Sequence, residues 1–574
     1  MFDYSITEIV DVDFGQPIAE QIWRTKYQYK TASGDVDFSV HDTWRRVARG
    51  LAKLEDPARQ EEVARGFFEA MKEFKLLPAG RILSGCGTAR NVTLSNTFVM
   101  RTLPDSVSGI MDTVKEAALT MQMGGGIGFD FSTIRPKGTL VRGLDCPAAG
   151  PLAAMDICDA VCKMLVTGMG RGAMMATLRC DHPDIEAFIE AKSAPERLRN
   201  FNMSVMITDD FMKAVEANGS WDLIWDGAVT RRLSARGLWQ AIMRQTYAAA
   251  EPGVLFIDKI NTENPLNYAE VLSATNSCAE QPLPPNGTCP LASINLARLV
   301  ENPFEAGAEL NLNELRRLAG VAVRMLDNVI DVSRYATPAQ LCEAREKRRI
   351  GLGVTGVGDA LVMTGARYGS QKAVELLDNW MRTIQNAAYL ASAHLAKERG
   401  AFPLYDATKH LKQPACLRLD ADVQHEIGKY GLRNGVLTTI APTGTISMFA
   451  GNVSSGIEPM FATSYKRMVT GPDGTKSQEE VVDYAAWLYR QLHGPDAALS
   501  EAFVTALELH PSDHVRMQAA AQRWVDSGIS KTVNCPEDIA FEKFEDVYLE
   551  AYRSGCKGCT TYRPNAVTGS ILAA

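Results

Sequence analysis

The sequence predicts one large α/β body behind a helical lead-in, and three observations carry that expectation. From Arg81 onward, short β-rich runs alternate with helical stretches through the rest of the 574-residue chain, as strands joined by crossover helices do. Between Val40 and Lys75, apolar residues instead recur at helical spacing: Trp44, Val47, Leu51 and Leu54, then Val63, Phe67, Phe68 and Met71. Pro78-Ala79-Gly80 punctuates the change. The expected division is a helical region at 1–80 and an α/β unit at 81–574, with no internal repeat or low-complexity linker inside either.

Within the second unit, runs at 97–100, 205–208, 253–257 and 436–440 read as buried strands. Residues 315–333, 372–399 and 479–493 read as amphipathic helices. A net charge of −8 supplies no field to neutralise a phosphate backbone, so no nucleic-acid partner is expected. The start of the chain lacks a basic-then-apolar signal pattern, and no apolar run approaches the ~18–20 residues of a membrane helix. Twelve cysteines without a secretory signal read as reduced thiols, and the expected location is cytoplasmic, away from any membrane.

Several motifs invite a function and carry little. Gly351-Leu-Gly353-Val-Thr-Gly356 has the letters of a dinucleotide fingerprint, but a charged, helical-looking run precedes it and Gln371 stands near the acidic position. Met123-Gly124-Gly125-Gly126-Ile127-Gly128 lacks the Lys-Ser/Thr of a P-loop and reads as backbone passing close to another element. The basic run Arg345-Glu346-Lys347-Arg348-Arg349 is either a solvated helix face or a site for a small phosphorylated ligand. His510 and His514 flank Pro511-Ser512, a helix start, and no metal site is expected. Cys556-Lys-Gly-Cys559 is either a redox dithiol or two unrelated thiols, since the second pair of a zinc site is missing.

Thr275-Asn276-Ser277-Cys278-Ala279-Glu280 is more specific. In an extended segment alternate side chains share a face, so Asn276, Cys278 and Glu280 are expected to project together. That places an amide donor, a thiol and a potential general base around one small volume.

Around it stand long ordered blocks: Pro17-Ile-Ala-Glu-Gln-Ile-Trp23, Leu77-Pro-Ala-Gly-Arg-Ile82, Ala118 to Gly128, Arg179-Cys-Asp-His-Pro-Asp-Ile-Glu186, Ala441-Pro-Thr-Gly-Thr-Ile-Ser447 and Ser454-Ser-Gly-Ile-Glu-Pro459. Together they resemble the catalytic subunit of a ribonucleotide reductase of the adenosylcobalamin-dependent class II type, over nearly the whole chain. The resemblance implies a ten-stranded α/β barrel of two five-stranded halves threaded by a central finger loop. It implies that Cys278 becomes a thiyl radical abstracting the ribose 3′-hydrogen, that Glu280 takes the 3′-hydroxyl proton, and that Asn276 binds near the 2′/3′ oxygens. It makes Asn96, Thr97 and the turn Pro442, Thr443, Gly444, Thr445, Ile446 and Ser447 the substrate site for a ribonucleoside di- or triphosphate. Asp105, Ser106, Arg135 and Lys137, with Arg171 in the linking loop, would bind a deoxynucleotide effector of a homodimer. The adjacent tyrosines of the class I radical path are missing at Cys559-Thr-Thr-Tyr562, and the C-terminal segment is unlike a glycyl-radical motif, so adenosylcobalamin is the expected cofactor.

Two departures bear on the reduction step. Cys289 fits one member of the family's reducible cysteine pair, but its partner position holds Thr97, and Cys86 is the nearest thiol in the sequence that could substitute. The family's cysteine-bearing tail has at most Cys556 and Cys559 as its counterpart, leaving an external dithiol or a separate tail-bearing chain as reductant. A radical enzyme with an altered reductive half-reaction, or a catalytically silent nucleotide-binding paralogue, are the alternative readings.

Overall fold

The computed structural model describes residues 14–141, 143–165, 173–193, 197–470 and 476–565. After a short helical segment at Pro17–Ile22, the lead-in forms two longer helices, α1 (Val40–Ala52) and α2 (Gln60–Met71). Ser39 caps α1 in a capping box with Asp42, satisfying amides that the first turn would leave unpaired. Most of the apolar repeat read from the sequence is the buried face: Trp44, Val47, Leu51, Val63, Phe67 and Met71 enter one core, whereas Leu54 lies past the end of α1 and is exposed.

Strand β1 (Leu76–Pro78) and helix α3 (Gly80–Gly85) lead into the α/β unit. There follow β2 (Thr97–Val99), α4 (Val107–Gln122), β3 (Gly126–Asp130), α5 (Pro151–Met164), β4 (Met174–Arg179), β5 (Phe201–Ile207) and β6 (Gly253–Phe256). Strands β2 to β6 pair in that order, parallel throughout. A second series comprises β7 (Thr288–Cys289), β8 (Leu291–Asn295), α6 (Leu312–Val332), β9 (Gly351–Thr355), α7 (Gln371–Arg399), α8 (Gly444–Phe449), β10 (Thr532–Asn534), α9 (Phe541–Arg553) and β11 (Gly558–Tyr562). Here β8 pairs β9 in parallel, single parallel bridges at Leu352–Thr438 and Ile440–Ile529 continue sideways, and β10 pairs β11 in parallel. The two series meet where β11 runs antiparallel to β6, and β7 lies antiparallel to β2. Helices cover the outer faces, so the strands are apolar along their length, as parallel sheets with both faces covered require.

Three sequence expectations change. Residues 479–493 are not one helix. Lys476–Val482 is a strand paired with Ser464–Thr470, and the helix is Tyr484–His493, started by Asp483, whose carboxylate accepts the Ala485 and Ala486 amides. The 436–440 run takes part only through its two isolated bridges. The basic run at 345–349 is neither a solvated face nor a free anion site. Arg348 pairs with Asp327 at 2.8 Å, while Arg349 and Lys347 both reach Glu270, at 2.7 and 2.8 Å, so buried carboxylates already neutralise it.

Residues 351–355 form β9, and a Cβ on Gly353 would lie 2.1 Å from the Thr439 carbonyl oxygen, a packing reason for the glycine. Pro511 opens a helix capped by the His510 side chain. No described helix is long and apolar enough to cross a membrane.

Candidate functional site

The segment 276–281 is held between Ala274–Thr275 and Pro282–Leu283, two short stretches that pair antiparallel. It passes against β3: a Cβ on Gly128 would stand 1.9 Å from the Thr275 carbonyl oxygen, so only glycine admits this approach. Gly128→Ala is therefore expected to push the loop outward, lowering the melting temperature and cutting turnover by about 10²-fold, the cost of a misplacement near 1 Å. Wild-type turnover in that variant would show that loop position is not critical.

The segment is a turn, not the extended run expected from spacing. The Ala279 amide donates to the Asn276 carbonyl at 3.1 Å, and Ala279 adopts φ +64°. Asn276 Oδ1 accepts the Gln281 amide at 3.0 Å, which ties the turn closed. The Glu280 carbonyl accepts both the Gly528 amide, at 2.9 Å, and the Thr439 hydroxyl, at 2.7 Å. Asn276, Cys278 and Glu280 still line one cavity, brought together by the turn instead of strand alternation.

Two cavities meet at Ser277 and Cys278. One, of about 670 Å³, is lined by Asn96, Thr97, Asn276, Glu280 and the turn Pro442–Ile446. The other, of about 540 Å³, has walls that include Ser204, Gly253, Gly528, Lys531, Gly558 and Thr560. Cys278 is thus open to cavity space on both sides while its thiol is closely surrounded by protein.

Burial, aided by the Glu280 charge, pushes the Cys278 thiol up to about 12, so it carries its hydrogen at neutral pH. Burial raises Glu280 to about 7, opposed by a hydrogen bond from Asn276. Its Oε2 has no hydrogen-bond partner among the described residues, nor has Asn96 Oδ1. A carboxylate poised near neutrality with a free oxygen, a few residues from a protonated thiol, suits proton acceptance next to hydrogen-atom exchange.

Thr97 and Cys289 face each other across the β2–β7 pair. Thr97 donates its hydroxyl to the Cys289 carbonyl at 2.8 Å, and the Cys289 thiol is buried and raised by that burial. The structure does not bring Cys86 together with Cys289. It packs against Val47 and Gly50 of α1, in the core that includes the lead-in, whereas Cys289 belongs to a separate cluster with Val99 and Ala441. Cys559 lies in β11 opposite Val254, and both it and Cys556 are buried; burial raises Cys556 to about 12 and also raises Cys559. Such thiols are not the depressed, accessible pair that redox exchange favours.

At the turn, Thr443 adopts φ +54°, held by the Gly456 amide donating to its hydroxyl at 2.7 Å and by a 2.9 Å contact with the Thr355 hydroxyl. Gly444 and Thr445 are open to the cavity, while Ser447 is buried and bonds to Gly444 O and Ser455, a supporting position. Elsewhere, Arg135 clasps Asp105 at 2.7 Å, Ser106 caps α4, and the Lys137 amide donates to Asp184. Arg171 lies outside the described residues. Among the described residues, no cluster of histidine, cysteine, aspartate and glutamate could hold a metal.

Sequence reasoning missed Lys26 and Tyr27 of the lead-in, and Arg81 and Arg90 just beyond it, all of which line the 670 Å³ cavity.

Residues 95–562 match the family model for the ribonucleotide reductase barrel domain, and residues 14–91 match that for the ribonucleotide reductase all-alpha domain. The chain is 36% identical over 577 residues to a vitamin B12-dependent ribonucleoside-diphosphate reductase of Mycobacterium tuberculosis (strain CDC 1551 / Oshkosh), covering 96% of this chain and 80% of that protein. It is 36% identical over 528 residues to the vitamin B12-dependent ribonucleoside-diphosphate reductase of Thermoplasma acidophilum, covering 88% of this chain and 66% of that protein. A ribonucleoside-diphosphate reductase subunit alpha of Chlamydia pneumoniae is 28% identical over 604 residues, covering 92% of this chain and 57% of that protein.

Proposed function

The chain belongs to the ribonucleotide reductase family, and from that premise we propose that it reduces ribonucleotides to 2′-deoxyribonucleotides with adenosylcobalamin as cofactor. The observation that carries the reading is the single thiol, Cys278, standing between two cavities with Glu280 and Asn276 beside it. Two parallel strand series meeting antiparallel support a ten-stranded barrel, with the Cys278 turn as its finger loop and the region 1–80 as a helical preface. The names of the relatives favour a diphosphate substrate.

The residues around the 540 Å³ cavity fit a nucleoside-sized group: Gly253, Gly528 and Gly558 keep its wall low, and Ser204 and Thr560 offer hydroxyls. These residues would hold the adenosyl part of the cofactor, which when bound supplies one-electron chemistry through its cobalt–carbon bond.

On the opposite side, the chain's own groups act on the ribose. Cys278, kept as a thiol by its surroundings, would give up its hydrogen atom to the one-electron oxidant that the bound cofactor supplies, then take the 3′-hydrogen and later return it. An S–H bond is comparable in strength to an activated ribose C–H, so the transfer runs both ways. Glu280 accepts the 3′-hydroxyl proton through its free oxygen and passes it on, Asn276 steadies the carboxyl, and the 2′-hydroxyl, so protonated, leaves as water. Asn96 and the Pro442–Thr445 turn orient the sugar and phosphates. Two electrons and two protons complete the reduction, with Cys289 the one thiol of the usual pair present.

Asp105, Ser106, Arg135 and Lys137 would form the effector site. Exposed Val107, Met111, Ile157 and Met164 on α4 and α5 support a homodimer through those helices. The composition is that of a cytoplasmic enzyme.

Thr97 opposite Cys289 favours one second reading, an altered reductive half-reaction fed by an external dithiol or a separate tail-bearing chain. A directly paired antiparallel register places Cα atoms roughly 4.5–5.5 Å apart, within disulfide range. Thr97→Cys is therefore expected to raise turnover with a thioredoxin-type reductant, measured as deoxynucleotide formed per minute. No change would mean that electrons arrive by a route independent of that pair. Corrinoid titration tests the proposal itself: saturable binding supports it, whereas none at micromolar protein sinks it.

A further inference from the structure

Three well-enclosed guanidinium groups have carboxylate partners: Arg46 reaches Asp37 at 2.8 Å, Arg348 reaches Asp327 at 2.8 Å and Arg349 reaches Glu270 at 2.7 Å. Arg81 does not. Among the described residues its guanidinium has no carboxylate within ion-pair distance and makes no hydrogen bond, although its surroundings are desolvating enough to lower its pKa. It rests on Gly124, where a Cβ would lie 2.9 Å from Arg81 Cζ, and stands near Tyr27, whose phenol burial keeps neutral. Arginine nonetheless stays protonated.

Its position in the helix is costly too. Arg81 occupies the first turn of α3, where the unpaired amides make a cation unfavourable. A partly buried charge that is unpaired and at the wrong helix end gains little from the fold around it. It does line the 670 Å³ cavity that contains Cys278, Glu280 and the Pro442–Thr445 turn. That turn presents neutral donors, which leaves a multiply charged anion uncompensated. Of the other cations lining the cavity, Lys26 is solvent-exposed, and Arg90 already donates to the Ser84 carbonyl and lies over the Tyr29 ring at 5.3 Å.

We propose that Arg81 is the counter-charge for the phosphates of the nucleotide substrate, a binding residue contributed at the junction of lead-in and α/β unit; this rests on the ribonucleotide reading above. Its planar fork matches phosphate oxygens two at a time, so affinity should depend on the phosphate groups and not on the nucleoside.

The test is equilibrium binding of a ribonucleoside diphosphate, the matching nucleoside and inorganic phosphate to the full chain and to Arg81→Gln and Arg81→Lys. Arg81→Gln should weaken diphosphate binding by about 10- to 100-fold, the range for a charged hydrogen bond, and leave nucleoside binding unchanged. Arg81→Lys should recover part of the loss, and the melting temperature of Arg81→Gln should equal or exceed that of the wild type. Phosphate binding that disappears in Arg81→Gln supports the same assignment. Undiminished diphosphate affinity in Arg81→Gln, or an equal loss for the nucleoside, overturns it. A wild type that binds neither diphosphate nor nucleoside instead overturns the ribonucleotide reading itself.

Discussion

Cys278→Ser is expected to reduce turnover to background while leaving nucleotide affinity unchanged. Serine is close in size and keeps a hydroxyl at the meeting point of the two cavities, so the substrate walls formed by Asn96, Asn276 and the Pro442–Thr445 turn stay in place. What it removes is a bond weak enough to exchange hydrogen with a ribose carbon. The loss should fall on kcat, because the interaction exists only in the chemical step. Burial keeps Cys278 protonated, which argues against thiolate nucleophilicity and for hydrogen-atom exchange. Deoxynucleotide formed at a comparable rate by the serine variant would remove Cys278 from the mechanism.

Glu280→Gln is expected to lower turnover by about 10²- to 10⁴-fold, the usual contribution of a positioned proton acceptor, and at the same time to stabilise the fold above neutral pH. Both effects come from burial that raises the carboxyl from 4.5 to about 7. Because the folded value lies above the unfolded one, Glu280's effect on stability is most favourable below about pH 4.5. That advantage is lost as the pH rises through about 7, where a buried carboxylate must be carried without a partner on Oε2. The difference corresponds to roughly 3 kcal/mol, an order-of-magnitude figure for an enclosed group. Thermal melts at pH 4 and pH 8 read it directly: the variant should match the wild type at the lower pH and exceed it at the higher. Wild-type turnover should rise with pH through about 7 as the base ionises. A glutamine variant no more stable at pH 8 would show that Glu280 is solvated or paired.

Much of the scaffold was legible because it follows local rules. The apolar repeat from Trp44 to Met71 could bury only as helices, and the runs at Thr97, Val205 and Gly253 carry the apolar character of strands covered on both faces. Gly128 was legible as a close approach, though its neighbour, Thr275, was not.

What failed depended on partners distant in sequence. The basic run at 345–349 looked solvated because Glu270, Asp327 and Asp331, which neutralise it, lie elsewhere in the chain. At the site, residue spacing found Asn276, Cys278 and Glu280 but misjudged how they converge, since a left-handed alanine at 279 carries no signal in its residue type. Arg81 was invisible for the converse reason: being unpaired is a property of surroundings, which only coordinates reveal.

The most direct measurement of the central claim is to incubate the purified chain with adenosylcobalamin, a ribonucleoside diphosphate and a dithiol, and to quantify deoxynucleotide by chromatography. The account predicts product that requires adenosylcobalamin and is absent from Cys278→Ser. Absence of deoxynucleotide from both the wild type and Thr97→Cys, with cofactor and dithiol supplied, would contradict it.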